Sequence, residues 1–283
     1  MPLVTLKSVI DESRGKGYAI GSFNFNGIED ARGIIEAAEE KNSPVILMAS
    51  MSAVKYFGGV KPCAYFIKAL AEDSPAPIVL HVDHCDDPQM LKDCVDYGFT
   101  SVMIDGSALP FEENIAQTKE VVKIAHAVGV SVEAELGTIG TMEGNKISYT
   151  RPEEAKEFVE RTGVDTLAIA IGTRHGLYPK GLTPHLELDL LKEIRKVVDI
   201  PLVLHGGSDN PDDEIEQACL NGISKLNISS DIKKAFYIKA REVLQDTSLR
   251  EPGDIYPPCI AEMKKVMHQK MDLFHTTGKA SLY

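Results

Sequence analysis

The sequence predicts an α/β protein folded as a (β/α)₈ TIM barrel. Eight short, β-rich apolar runs alternate with longer amphipathic stretches along 283 residues, 43% of which are hydrophobic. Most of the eight runs are apolar almost throughout, which is typical of parallel strands buried on both faces. Eight strand–helix units in a chain of this length match the closed barrel.

The predicted strands lie at regular intervals and are separated by helical patterns. In chain order the strands are 18–23, 45–48, 78–82, 101–104, 130–135, 166–171, 202–205 and 224–228. Apolar residues recur at helical spacing over 28–41 and 114–127, which predicts two of the intervening helices. Two glycine-rich segments, 137–146 and 172–184, interrupt the pattern as candidate active-site loops.

The remaining features of the sequence predict a single domain that spans residues 1–283. An open doubly wound sheet is the main alternative, but no GxGxxG follows the first strand. No linker or change in composition marks a second domain. Met263, Met267, Met271 and Phe274 form one helical stripe in the tail that begins at Ile260, which predicts an extra C-terminal helix packed on the barrel or on a partner subunit.

The net charge and the cysteine content indicate which partners and which cellular compartment the protein has. The formal net charge of −12 argues against nucleic acid or an anionic membrane as a partner. Five scattered cysteines without a CxxC pair indicate reduced thiols in a cytoplasmic protein. The N-terminal segment lacks the apolar core of a signal peptide, and no run of eighteen apolar residues predicts a membrane span.

Polar side chains stand at the end of all eight predicted strands. Because active sites of this fold lie at the C-terminal rim of the strands, we expect these side chains to converge. In chain order they are Asn24, Ser50, Asp83 with His84, Asp105, Glu135, His175, His205 and Asn227.

Three histidines in this set are candidate metal ligands. His84, His175 and His205 would supply three nitrogens to an open Zn²⁺ site, with a fourth position left for substrate. His81 and Asp83 would share one face of a continuing strand while His84 pointed away. Asp83 and His84 can therefore serve one site only if the third strand stops near there and the chain turns, and AspAspPro (86–88) supplies that turn and a helix start. His81 then becomes a buried wall residue.

The segments after strands seven and eight predict a phosphate site. HisGlyGlySer (205–208) follows strand seven, and AsnIleSerSerAsp (227–231) follows strand eight. Glycines let backbone N–H groups approach an anion, and serine hydroxyls add hydrogen-bond donors. HisGly (175–176) would add a further backbone contact.

Four motifs together resemble the class II aldolases, the metal-dependent fructose- and tagatose-bisphosphate aldolases. They are HisValAspHis (81–84), GlyThrArgHisGly (172–176), LeuHisGlyGlySer (204–208) and LysLeuAsnIleSerSer (225–230). The resemblance runs nearly end to end. It also includes SerPheAsnPheAsn (22–26), MetIleAspGlySer (103–107) and GluAlaGluLeuGly (133–137).

The resemblance implies a reaction and a role for each matching residue. It implies reversible cleavage of a ketose bisphosphate, with Zn²⁺ on His84, His175 and His205 as the Lewis acid and Asp83 as the proton-transferring acid. A nearby Na⁺ or K⁺ and a homodimer or homotetramer are implied as well. Asp105 and Glu135 match a second metal site, and Asn24 and Ser50 match substrate-side positions. Dihydroxyacetone phosphate would be held by Gly176, Gly206, Gly207, Ser208, Asn227, Ile228, Ser229 and Ser230.

The sequence leaves the mechanism and the substrate open. A Schiff-base aldolase would use Lys225 as nucleophile, and a catalytically silent relative would only bind a sugar phosphate. Within the family, fructose-, tagatose- and dehydrodeoxygluconate-type phosphates are all candidate substrates. Arg174 stands where the family usually has a small residue before His175; it is a candidate for binding a second phosphate or another anion, or equally a surface residue paired with a nearby acid. Glu143 is a candidate for the second acid or base.

Overall fold

The chain forms a closed barrel of eight parallel strands, which confirms the predicted fold class. The computed structural model describes residues 3–141, 147–182 and 184–283. Each barrel strand pairs with its neighbours in chain order, and β8 closes the barrel by pairing with β1 through Ile20↔Lys225 and Ser22↔Asn227. The strands are β1 Ile20–Asn24, β2 Val45–Ser50, β3 Ile78–Cys85, β4 Ser101–Ile104, β5 Ser131–Leu136, β6 Thr166–Ile169, β7 Leu202–Leu204 and β8 Ile223–Ile228.

Helices connect the strands and cover the outside of the barrel. They are α1 Leu6–Ser13, α2 Ile28–Glu40, α3 Met51–Tyr56, α4 Val60–Ala71, α5 Pro88–Tyr97, α6 Phe111–His126, α7 Pro152–Thr162, α8 Leu188–Val197, α9 Asp212–Leu220, α10 Ser230–Val243 and α11 Pro252–Leu273. The start of α5 follows the predicted turn: Asp87 caps it by accepting a hydrogen bond from the Gln89 N–H at 2.9 Å. No described helix is both long and apolar enough to cross a bilayer.

Both faces of the strands are buried, as their apolar runs predict. Nearly every strand residue is inaccessible, and the outward-facing side chains pack against the surrounding helices in one continuous apolar cluster. At the N-terminal end of the barrel, Leu6, Val9 and Ile10 of α1 pack on Ile20 and Val79. Helix α1 therefore covers the N-terminal end of the barrel, opposite the C-terminal ends of the strands.

The C-terminal methionine stripe packs on the chain's own barrel. Met263, Met267, Met271 and Phe274 are buried, and α11 begins at Pro252, earlier than the predicted Ile260. A Cβ added to Gly33 of α2 would lie 2.5 Å from Met263 Cε. The absence of a side chain at residue 33 is what lets α2 and α11 approach so closely.

The end of β3 departs from the predicted strand. The strand ends at Cys85, three residues beyond its predicted end at Val82, and α5 begins at Pro88 after the predicted turn. The pairing of β3 with β4 slips by one residue between Val82 and Cys85, and His84 has a left-handed φ of 48°. This β-bulge breaks the strict alternation of side chains, so the adjacent residues Asp83 and His84 both reach the mouth of the barrel.

Candidate active site and metal centre

A cavity of about 280 Å³ opens at the C-terminal rim of the strands. Most of the predicted site residues contribute to its wall. The lining comprises Asn24, Met48, Ser50, Ser52, Asp83, His84, His175, Gly176, Gly206, Ser208, Asn227, Ser229, Ser230 and Lys233. Residues from β1, β2, β3 and β8 and from the loops after β6 and β7 thus meet at one point.

The other predicted residues lie directly behind this wall. Asp105 Oδ2 accepts a hydrogen bond from His84 Nδ1 at 2.7 Å, and His205 Nδ1 lies 3.0 Å from His84 Nε2. Glu135 Oε2 lies 3.3 Å from His205 Nδ1. Gly207 contacts β8 through its N–H, which donates to the Asn227 carbonyl at 3.1 Å, and Ile228 is the buried last residue of that strand.

His84, His175 and His205 converge closely enough to hold one metal ion. Their candidate ligand nitrogens lie within 4.8 Å of one another. Zn–N bonds of about 2.0–2.1 Å in a tetrahedral site place ligand nitrogens roughly 3.3 Å apart. The 3.0 Å between His84 Nε2 and His205 Nδ1 is close to that separation. The three side chains therefore match the donor set of an open zinc site.

A carboxylate oxygen beside these nitrogens supports the fit to a cation. Glu135 Oε2 is buried and has no hydrogen-bond partner among the residues that the structure describes, although it lies 3.3 Å from His205 Nδ1. A buried carboxylate oxygen without a donor is costly, and a cation between it and the histidines would remove that cost. The structure therefore fits a divalent metal on the histidines with Glu135 close by.

Burial and the neighbouring charged groups set the pKa of each of the three histidines. Burial disfavours the charged form of His84, but Asp83, Asp105 and Glu135 outweigh it and raise the pKa of His84 to about 10. Burial, with the neighbouring histidines, lowers the pKa of His175 to about 4. Burial also opposes protonation of His205, yet the Glu133 and Glu135 carboxylates raise its pKa.

Two further groups of potential metal ligands surround this centre. His84, Asp105 and Glu135 form one, but its use as a metal site would break the 2.7 Å hydrogen bond between His84 and Asp105. His81, Asp83 and Glu133 form the other. There the Lys225 ammonium already supplies the cation, because its Nζ lies 2.8 Å from Glu133 Oε1 and 3.4 Å from His81 Nε2. His81 is fully buried, in keeping with its interpretation as a wall residue.

Asp83 is fixed beside the candidate metal position. Its Oδ1 accepts a hydrogen bond from Asn227 Nδ2 at 3.2 Å, and its Oδ2 lies 4.0 Å from His84 Nε2. Burial acts against its charge, but His84, His205 and Lys225 together lower the pKa of Asp83. Asp83 is therefore an ionised carboxylate at the cavity wall, a form that can accept a proton.

The two predicted phosphate segments meet at the start of α10. Ser208 Oγ accepts hydrogen bonds from the N–H groups of Ser229 and Asp231, at 3.2 and 3.4 Å. Gly206 has a left-handed φ of 64°, and a Cβ there would lie 2.6 Å from the Arg174 carbonyl oxygen. Glycine is thus required at residue 206, where three loops come together next to a helix N-terminus suited to an anion.

Ser50 and Asn24 have structural contacts as well as a place in the cavity. Ser50 Oγ accepts from the Ala53 N–H at 3.3 Å and caps α3, and Asn24 Nδ2 donates to the Met48 carbonyl at 3.3 Å. Arg174 lies in a two-residue strand, Arg174–His175, paired with Gly140–Thr141. Glu143, the candidate second acid or base, lies outside the described residues.

Sequence reasoning missed Glu133 and Lys233. Glu133 stands two residues before Glu135 on β5, so strand alternation predicts the same inward face for both. Lys233 lines the cavity one turn into α10 and places a cation beside the candidate phosphate site. Its position three residues after Ser230 was a signal for that placement, because side chains three apart share a helix face.

The barrel and the three convergent rim histidines define the class of protein: a (β/α)₈ enzyme with a candidate metal centre. Residues 4–279 match the family model described as fructose-bisphosphate aldolase class-II. The chain belongs to the class II fructose-bisphosphate aldolase family, which confirms the resemblance seen in its motifs, and it is an aldolase. This family is zinc-dependent in general.

Relatives within the family differ in their named substrates. The chain is 44% identical to a fructose-bisphosphate aldolase of Geobacillus stearothermophilus, covering 99% of this chain and 100% of the relative. It is 43% identical to a 6-phospho-5-dehydro-2-deoxy-D-gluconate aldolase of Bacillus licheniformis, covering 99% and 97%. Among solved structures, the YdjI aldolase of Escherichia coli K12 superposes with a TM-score of 0.88 at 35% identity, covering 98% of this chain and 99% of that one.

Proposed function

We propose that this aldolase reversibly cleaves a ketose 1,6-bisphosphate, fructose- or tagatose-bisphosphate, to dihydroxyacetone phosphate and an aldehyde phosphate. One observation carries the proposal. Three histidines with candidate ligand nitrogens within 4.8 Å of one another adjoin an ionised Asp83, beside a cavity that the two predicted phosphate segments also line. A candidate metal site, a proton acceptor and a candidate anion site would thus be combined at one strand rim.

His84, His175 and His205 would hold the metal, which we propose to be Zn²⁺. When bound, Zn²⁺ supplies Lewis-acid polarisation of the ketose carbonyl and stabilisation of the negative charge that develops on cleavage. Asp105 orients His84 by accepting its Nδ1–H, so that the Nε2 of His84 faces the other histidines. Asp105 and Glu135 are also the candidates for a second or alternative metal position.

Asp83 would move the proton at the C4 hydroxyl of the ketose. Cleavage of the C3–C4 bond turns that hydroxyl into an aldehyde, and its proton must pass to a base. Asp83 is ionised, faces the cavity and is held by Asn227 Nδ2 at 3.2 Å. In the condensation direction the same carboxyl returns the proton to the new hydroxyl.

The phosphate of dihydroxyacetone phosphate would be held at the N-terminus of α10. Gly176, Gly206, Gly207, Ser208, Asn227, Ile228, Ser229 and Ser230 are the residues proposed to contact it. Backbone N–H groups at a helix start favour an anion, and Lys233 adds a positive charge on the same cavity wall. Asn24 at the end of β1 and Ser50 at the end of β2, which also line the cavity, are proposed to contact the sugar. The implied Na⁺ or K⁺ belongs near this phosphate site.

A dehydrodeoxygluconate phosphate is the second candidate substrate. The Bacillus licheniformis relative with that name is 43% identical, nearly the same as the fructose-bisphosphate aldolase at 44%. The two substrate types differ in the half that becomes the aldehyde product. Arg174 is the cation proposed to distinguish them.

A Schiff-base mechanism and a catalytically silent binding subunit are both less well supported. A Schiff-base mechanism needs a free amine, but Lys225 Nζ is buried and donates to Glu133 Oε1 at 2.8 Å. A silent subunit that only bound a sugar phosphate would have no need for Asp83 in the same cavity as His84 and His175, with His205 directly behind them. A substrate assay combined with chelation and borohydride treatment separates these two possibilities from metal-dependent cleavage.

A coupled assay over a panel of ketose phosphates, with and without EDTA, tests the function. We expect cleavage of at least one bisphosphate, loss of activity with EDTA, recovery with Zn²⁺ and no inactivation by borohydride in the presence of substrate. Borohydride trapping at Lys225 would establish the Schiff-base mechanism. Zinc-loaded protein that cleaves no member of the panel would establish the silent binding subunit.

We further propose a homodimer or homotetramer in the cytoplasm. The proposal rests on family membership and, for the compartment, on the fact that all five cysteines are free and buried. Sedimentation analysis of the purified protein, in which a monomer would contradict the proposal, tests the assembly.

A further inference from the structure

A buried charged layer lies beneath the candidate metal centre. His81, Glu133 and Lys225 have no solvent exposure. Each stands two residues before a residue of the site, namely Asp83 on β3, Glu135 on β5 and Asn227 on β8. Because side chains two apart on a strand share a face, the barrel interior holds two polar layers, one directly below the other.

Glu133 connects the two layers through His205. Its Oε1 accepts hydrogen bonds from His205 Nε2 at 2.9 Å and from Lys225 Nζ at 2.8 Å. Thr166 Oγ1 donates to its other oxygen at 3.3 Å. A carboxylate only accepts hydrogen bonds, so Nε2 of His205 must carry the proton.

This tautomer decides which nitrogen of His205 faces the metal site. A neutral imidazole has one protonated nitrogen, so Nδ1 keeps its lone pair. Nδ1 is the atom that lies 3.0 Å from His84 Nε2 and 3.3 Å from Glu135 Oε2. The reverse tautomer would remove the hydrogen bond from His205 to Glu133 and would turn an N–H toward the ligand nitrogens.

Lys225 makes a charged Glu133 tolerable in this place. A fully buried carboxylate without a counter-charge would be strongly destabilising. His81 completes the layer, since its Nδ1 donates to Ser101 Oγ at 2.8 Å and leaves Nε2 to face Lys225 Nζ at 3.4 Å. A buried ion pair rarely adds net stability over an apolar pair, so its presence under the site calls for a role other than stability.

We propose that Glu133 is a positioning residue that fixes His205 as the Nε2–H tautomer, with Nδ1 toward the metal, and that Lys225 holds the charge of Glu133 in place. The inference rests on the proposed metal-dependent function. It assigns Lys225 an electrostatic role and gives Glu133, which touches neither metal nor substrate, control over the affinity of the metal site.

The test compares Glu133→Gln with Thr166→Val, which removes only the weaker contact to the other oxygen. Zinc affinity is measured by competition with a chromophoric chelator, and the His205 tautomer by ¹⁵N spectra of histidine-labelled metal-free protein. We expect Glu133→Gln to weaken zinc binding about 10- to 100-fold, the range for loss of a partner to a ligating histidine, and to change the His205 spectrum. Thr166→Val should leave both unchanged.

A double variant covers the case in which Glu133→Gln does not fold. E133Q/K225M removes both charges of the pair together and should show the same loss of zinc affinity in a folded protein. Wild-type zinc affinity and an unchanged His205 tautomer in either folded variant would overturn the inference. Neither readout depends on turnover, so a wild-type protein that cleaved no ketose phosphate would contradict the proposed function without deciding the role of Glu133.

Discussion

Asn227 Nδ2 donates a hydrogen bond to Asp83 Oδ1 at 3.2 Å across the mouth of the barrel, from the C-terminal part of β8 to the bulged end of β3. The contact fixes the carboxylate that we propose as the proton acceptor, and it leaves the second oxygen of Asp83 on the side of His84. A residue 144 positions away in the sequence thereby positions the proposed proton acceptor.

Asp83→Ala should leave zinc bound and lower turnover. Asp83 is not one of the three histidine ligands, and loss of a positioned acid or base typically costs about 10²- to 10⁴-fold in rate. Metal content by elemental analysis and turnover in the coupled assay measure the two effects. Asp86→Ala, which removes an exposed carboxylate three residues further on, is the matched control and should keep wild-type turnover. Unchanged turnover in Asp83→Ala would refute the assignment.

Zinc binding to metal-free protein should release at least one proton at pH 8. The acidic neighbours raise the pKa of His84 from 6.5 to about 10, so its imidazole is mostly protonated at that pH and must lose a proton to bind metal. Affinity should therefore rise with pH, about tenfold per unit for each proton released, until the pH approaches 10. Calorimetric titrations in two buffers of different ionisation enthalpy count the protons, and a count of zero would contradict the prediction.

The charge on His84 has the opposite effect on the stability of the metal-free protein. A pKa raised in the folded state gives stability that is fully present below the unfolded value of 6.5 and is lost as the pH rises to about 10. Alkaline pH thus favours zinc binding while it weakens the metal-free fold. Thermal unfolding with and without zinc between pH 6.5 and 10 should show the two curves diverging.

Ser208→Ala should raise KM more than it lowers kcat. The hydroxyl accepts from the N–H groups of Ser229 and Asp231 and so joins the two segments proposed to hold the phosphate. Loss of its hydrogen bonds should cost about 1 kcal/mol, or roughly fivefold in KM. Ser248→Ala, at an exposed serine on the connection between α10 and α11, is the control. A KM equal to wild type would remove Ser208 from the phosphate site.

The five cysteines should be unreactive in the native protein. All are buried, and burial raises the pKa of Cys85 to about 11 and those of Cys63 and Cys219 to about 12, so the reactive thiolate is scarce at pH 8. Reaction with a disulfide reagent should give no fast phase in the native protein and five thiols after denaturation. A fast-reacting thiol before denaturation would contradict this.

The fold and the residues around the candidate metal centre could be predicted from the sequence because both depend on periodic features. Apolar runs at regular spacing predicted the eight strands. The location of TIM-barrel active sites at the C-terminal ends of the strands then predicted the site residues. His175, which follows β6 by several residues, was found as the polar residue at the rim of the sixth predicted strand, and Gly176 as its neighbour in HisGly (175–176). The motif resemblance then agreed with both. The predicted bounds of β4 match the structure, and those of the other strands differed by at most three residues, with the largest difference at the end of β3.

The buried charged layer of His81, Glu133 and Lys225 and the β-bulge at His84 could not be predicted in the same way. Glu133 and Lys225 lie within buried strands, and only their contacts show that they pair with each other and with His205. The left-handed φ of His84 is set by how β3 pairs with β4, which no single stretch of sequence encodes. Strand alternation, applied without that bulge, led to the wrong end for β3.

The β-bulge at His84 also affects how the active site can change during evolution. One backbone unit carries both the proposed proton carrier and a proposed zinc ligand, so their spacing depends on local geometry and not on the packing of remote segments. Surrounding loops can then diversify to admit new aldehydes while the reaction centre keeps its dimensions. A single substitution that restored regular strand pleating at His84 would turn its side chain away from that of Asp83. The proposed proton carrier and the proposed zinc ligand would then no longer face the same site.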